Sequence, residues 1–114
     1  MRKPLAAAVV LSLLLFTAPL AAQEPSPAEA LFKKHCSVCH PQGGNIINPK
    51  KTLSKKDREA NGIVTAEDIV RKMRNPGFAP THPQEWSGMK VFDAKEIPDS
   101  DALRIANYIL ETFK

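Results

Sequence analysis

The stretch Cys36-Ser37-Val38-Cys39-His40 constrains this chain more than any other. Two cysteines separated by two residues, with a histidine directly after, form the pattern of a c-type haem attachment site. The chemistry explains the spacing. Two thiols add to the two vinyl groups on one edge of a porphyrin, and the intervening residues let one turn of chain reach both. The next imidazole then lies under the iron, where it can ligate. The other uses of these residue types need more than the chain offers. A thioredoxin-like redox pair belongs in a βαβ context, and nothing here alternates strand and helix. Structural zinc takes four ligands, and only His35, His40 and His82 stand beside the two thiols, without a second paired spacing. A plain disulfide leaves His40 without a role.

The N-terminus sets the compartment. Arg2 and Lys3 are followed by an almost wholly apolar run from Leu5 to Phe16, then by small residues before Gln23. That is the three-part plan of a secretory signal. The run is short for a membrane span, which needs about 20 residues. The expected signal is 1–22 and the expected domain 23–114, with a retained N-terminal anchor as the alternative. Export and the haem motif together imply a bacterial-type periplasm, the expected compartment, or a cell surface. A domain this small often needs a staple, and a covalently held haem is a large apolar body that can supply much of its core. The chain carries 16 Lys and Arg against 12 Asp and Glu. Loss of Arg2 and Lys3 halves that excess, and two haem propionates would bring the protein near neutral. No aromatic residues alternate with the basic ones and no reading-helix motif is present, so nucleic acid is not an expected partner.

Taken in order, Ser26-Pro27-Ala28-Glu29 predicts a helix start, with Ser26 as cap, Pro27 at the first helical position and Glu29 completing a capping box. Phe32, four residues before Cys36, shares its face and is expected in the core. His35 is expected at the surface. Asn48-Pro49 signals a turn. Lys50, Lys51, Lys55, Lys56 and Arg58 form a basic stretch, read as a solvated loop or short helix that could also dock an acidic redox partner. Thr65 caps a further helix whose apolar face is Ile69, Val70 and Met73, ending at Asn75-Pro76-Gly77. From Pro76 to Gly88 the chain reads as loop. Phe78 and Trp86 are its large apolar residues, and the Trp86 indole N–H is expected to seek an acceptor, a haem propionate being one candidate. Ala102, Ile105, Ala106, Ile109 and Leu110 give the last helix its apolar spacing.

The haem motif, the segment Gly88-Met89-Lys90-Val91-Phe92 and the final Ala106-Asn107-Tyr108-Ile109 resemble the small monohaem class I cytochromes c. The resemblance covers most of Ser26 to Phe113. It implies an all-α fold of three to five helices around one covalently bound haem c, with crossed first and last helices. It implies Met89 as the second axial ligand beside His40, in a segment where Lys90 replaces the usual proline. His82 in the preceding loop is the competing ligand. It also implies that the Pro49 carbonyl accepts the N–H of the proximal imidazole, since a ligating histidine usually hands its second N–H to an oxygen. Function then divides. With both axial positions filled by His40 and Met89, the protein is a soluble, monomeric one-electron carrier serving other redox proteins and no enzyme. With Met89 displaceable, it is a haem enzyme or gas sensor.

Overall fold

A computed structural model of the chain describes residues 24–77 and 88–114. Among them are four α-helices, α1 (Pro27–His35), α2 (Lys55–Ala60), α3 (Ala66–Arg74) and α4 (Asp99–Thr112), and one 3-10 turn, Pro41–Gly43. The described residues contain no strand.

Three of the four helices begin where the sequence offers a side-chain acceptor to unpaired backbone N–H groups. The Ser26 hydroxyl accepts the Glu29 N–H at 3.2 Å, and Pro27 occupies the first helical turn. Glu29 pairs with Lys33 at 2.8 Å. The reciprocal capping box closes at α3, where Thr65 Oγ1 accepts from Asp68 N at 3.1 Å and the Asp68 carboxylate accepts from Thr65 N at 3.0 Å. The basic stretch forms α2, capped by Ser54, and stops at Asn61-Gly62, where Gly62 takes a φ of +73°. Only α4 starts without a side-chain cap, at Pro98.

The last helix is the hub. It packs against both α3 and α1, and Ala102, Ile105 and Ala106 on its inner face are fully buried. Complete burial of a side chain such as Ile105 is worth about 1.5–3 kcal/mol. Against α1, Phe32 meets Tyr108 at 5.3 Å and Phe113 at 5.4 Å between ring centroids. Such pairs add about 0.5–1.5 kcal/mol beyond their buried area.

The chain beyond α4 then closes on the middle of the fold. The Phe113 carbonyl accepts from Lys55 N at 2.9 Å and from Arg58 Nη2 at 3.4 Å. Its ring lies on Gly43, where an added Cβ would sit 2.4 Å from Cδ1. Gly43 also has a φ of +79°, so both backbone conformation and space exclude a side chain there.

Candidate haem site

The fold places the motif at the mouth of a cavity. After α1 the chain winds through Cys36 to His40, with His40 N–H donating to Cys36 O at 2.8 Å. A cavity of about 130 Å³, open to solvent, is lined by Cys36, His40 and Met89 with Leu53, Ile63, Ile69, Met73 and Ile109. An adjoining pocket is lined by Cys36, Cys39, His40, Ile47 and Met89. Cys36, His40 and Met89 therefore line both spaces, and Cys39 lines the second. Met73 has 3% of its surface exposed and serves as a core residue, as its helical position predicts, but it also lines the cavity wall.

His40 is oriented by its own loop. Its Nδ1 lies 2.7 Å from the Gly44 carbonyl. A carbonyl can only accept, so Nδ1 carries the proton and Nε2 keeps the lone pair that a metal needs. Burial pushes the His40 imidazole below its ordinary pKa, with the Gly44 carbonyl opposing. The neutral ring is the ligating form. The acceptor is Gly44 and not Pro49, which corrects the expectation from resemblance. Pro49 is exposed and lies in a turn closed by Lys51 N to Asn48 O at 2.9 Å. The physical reason is the left-handed pair Gln42 and Gly43, with φ of +53° and +79°, which turns the chain back so that the next carbonyl faces the ring four residues behind it.

The two thiols differ. Cys39 is exposed and Cys36 half-buried, and no disulfide joins them. Burial pushes the Cys36 thiol up to about 11, helped by neighbouring Cys39. One edge of the site is thus sealed and the other faces water.

Polar groups gather along part of the cavity wall: Asn45, Thr52, Asp57, Arg58 and Asn61. Arg58 is the buried charge of the core, 6% exposed. Its Nε donates to Leu53 O at 2.8 Å, and burial lowers its pKa, with Glu59 opposing. Asn45 organises the adjoining loop, taking the N–H groups of Ile47 and Asn48 on Oδ1 at 2.9 Å each. The sequence reading placed Arg58 at the surface with its lysine neighbours. Its burial follows from the docking of the Phe113 carbonyl on α2, a contact across 55 positions that local pattern does not carry. His35, expected at the surface, is half-buried and meets the Phe92 ring edge-on at 6.4 Å. Ile46 and Ile47 are 63% and 51% exposed, and Ile47 lines the outer pocket. The residues Phe78, His82 and Trp86, with their suggested roles, lie outside the described residues, as does 1–22.

The cavity, its paired thiols and its oriented imidazole define an all-α protein built around a covalent porphyrin. The residues fit that group chemically: flat apolar walls, a nitrogen lone pair, and a cationic end for carboxylates. The comparisons agree. Residues 26–113 match the cytochrome c family, and the chain belongs to it. Its cofactor is accordingly haem c, held covalently, with its iron. Among relatives, cytochrome c6 of Bumilleriopsis filiformis is 35% identical over 82 residues, covering 72% of this chain and 84% of that protein. Cytochrome c6 of Rippkaea orientalis is 38% identical over 61 residues, 54% of this chain, and the match spans only about half of that relative, 55%. Among solved structures, the outer membrane cytochrome OmcF from Geobacter sulfurreducens aligns with a TM-score of 0.65 at 41% identity, covering 76% of this chain and 99% of that one.

Proposed function

We propose that this chain is an exported one-electron carrier whose iron is ligated by His40 and Met89. The observation that carries the reading is that His40 and Met89 line the same apolar cavity, next to Cys36. When bound, haem c supplies an iron that changes between Fe(III) and Fe(II) one electron at a time. Cys36 and Cys39 tether the porphyrin edge. The Gly44 carbonyl fixes the tautomer and angle of His40. Met89 would supply a thioether to the iron beside the His40 imidazole, and histidine with methionine raises the potential of a c-type centre. Leu53, Ile69, Met73 and Ile109 supply apolar wall, and Arg58 and Asn61, which line the same cavity, could pair with carboxylates of the cofactor. With both axial positions taken by the chain, no residue is assigned an acid, base or nucleophilic role, and the reading is that of a carrier and no enzyme.

The outer pocket beside exposed Cys39 is where electrons enter and leave. The exposed lysines Lys50, Lys55 and Lys56 suit an acidic redox partner, raising the encounter rate more than the affinity. The proposed compartment is the periplasm, with 1–22 as a cleaved signal and 23–114 as a monomeric domain. Among the described residues no helix is long and apolar enough to cross a membrane. The relatives named cytochrome c6 support the carrier role.

The test is the visible spectrum of the oxidised and reduced protein beside that of Met89→Ala. The wild type should show low-spin iron with the weak far-red band of ferric iron–sulfur ligation, and the variant should lose that band and drop in potential. A variant with unchanged spectrum and potential would remove Met89 from the iron. A high-spin wild-type spectrum that shifts on adding carbon monoxide would instead indicate a site open to exogenous ligands.

A further inference from the structure

The segment that carries Met89 belongs to no helix or strand, and its anchorage to the rest of the fold can be followed through Phe92. Gly88 has a φ of +67°, Lys90 and Val91 are exposed, and no regular element begins until α4. Three residues beyond Met89, Phe92 is buried, and its backbone is fastened on both sides to the end of α3. Its N–H donates to Met73 O at 2.9 Å. Its carbonyl accepts from Arg74 Nη1 at 2.9 Å. The same guanidinium reaches further with Nη2, to Ile97 O at 2.8 Å and to Asp99 Oδ1 at 2.7 Å. One side chain at the last position of α3 thus joins the Met89 segment, the fully buried Ile97 and the first residue of α4. The Lys90–Glu96 ion pair and the turn at Asp93, whose Oδ1 takes Lys95 N and Glu96 N at 2.9 Å each, brace the chain between these points.

We infer that Arg74 is a positioning residue for the Met89 thioether, clamping the segment after it so that the sulfur stays over the cavity. This rests on the reading of Met89 as the axial ligand. The geometry calls for arginine. A planar fork offers donors in two directions at once, whereas a lysine ammonium is a single point on a flexible stem and cannot span acceptors at both Phe92 and Ile97. Arg74 keeps 23% of its side-chain surface exposed, so water relieves part of the loss when it is replaced. The effect of replacement falls on how firmly the loop closes and less on whether the domain folds. A looser segment lowers the effective concentration of the thioether at the iron, and a competing ligand gains by the same factor.

The experiment measures imidazole binding to the ferric holoprotein, read from the loss of the far-red band, together with thermal unfolding. Arg74→Met should bind imidazole about tenfold more tightly than wild type, the worth of roughly one charge-assisted hydrogen bond. Arg74→Lys should recover only part of the difference. Asp99→Asn, which leaves both carbonyl grips in place, is a milder variant and should shift binding less. Ile105→Val lowers stability from the core without touching the clamp and should leave imidazole affinity unchanged. Met89→Ala separates the two ideas. If it keeps the band and the wild-type affinity, the ligand assignment fails and the clamp fails with it. If it abolishes the band while Arg74→Met binds imidazole like wild type, or no more tightly than Ile105→Val, Met89 stands and Arg74 is only a structural residue.

Discussion

Replacing Gly43 by alanine should be among the most damaging single-methyl additions in this protein. Gly43 has a φ of +79°, and a non-glycine residue in the left-handed region costs about 1–2 kcal/mol. The new Cβ would stand 2.4, 2.5 and 2.8 Å from Cδ1, Cε1 and Cγ of Phe113, so the ring must move. It is not free to swing, being packed 5.4 Å from Phe32 and 6.1 Å from Tyr108 between centroids. Overpacking of this kind costs about 1–3 kcal/mol, so the expected loss is about 2–5 kcal/mol. Denaturant unfolding of the ferric holoprotein measures it through the midpoint at constant slope. A double-mutant cycle with Phe113→Ala then separates the two causes. With the ring gone, Gly43→Ala should cost only the backbone part, about 1–2 kcal/mol. An identical loss in both backgrounds would show that the ring contact carries no energy. A loss below about 0.5 kcal/mol in the wild type, the scale of an ordinary surface substitution, would refute the whole argument.

Two further outcomes are expected. Thr65→Ala removes the hydroxyl that accepts Asp68 N–H at 3.1 Å and should lower unfolding free energy by about 1 kcal/mol, measured by thermal melts followed through helical circular dichroism. The Asp57 carboxyl is held below its ordinary pKa of 3.8 first by the Thr52 hydroxyl and then by the Thr52 N–H, and Asp68 is lowered by the N–H groups of Thr65 and Val64. A depressed folded pKa means that the unfolded chain binds the proton more readily. Their stabilising effect is therefore complete above pH 3.8 and is lost as pH falls through the lower folded values; Asp57→Asn should flatten that acid limb in a pH series of unfolding midpoints, and an unchanged limb would contradict the assignment.

The motif on which the covalent reading rests is confined to five residues, Cys36 to His40, so the chemistry proposed for Cys36, Cys39 and His40 could be read from spacing alone. Helix starts were legible for the same reason, since Ser26 and Thr65 act within three residues of themselves. The face of α4 could be read from its apolar period, and its buried residues include Ala102, Ile105, Ala106 and Ile109. What the sequence concealed depends on return of the chain. Gly44 replaces Pro49 as the partner of His40 because two successive left-handed residues set the direction of a carbonyl, and nothing in a proline two turns away reports that. Arg58 reads as one more surface cation until Phe113, 55 positions on, covers it. Arg74 looks like the usual basic end of a helix, yet it works across 18 to 25 positions. Long-range polar contacts have no period, so hydrophobic patterning cannot announce them.

The contact between Phe113 and Gly43 also fixes how much chain the protein must carry. Ser26, the first residue of the family match, caps α1, and Phe113, its last, follows α4 and supports the loop beneath His40. One end of the matched span thus holds the start of α1 and the other packs on the loop that follows His40. A shortened version of this domain that ends before Phe113 should therefore lose both the ring on Gly43 and the carbonyl that Lys55 N and Arg58 Nη2 share. A residue 73 positions beyond His40 in sequence thus packs on the loop whose Gly44 carbonyl meets that ring.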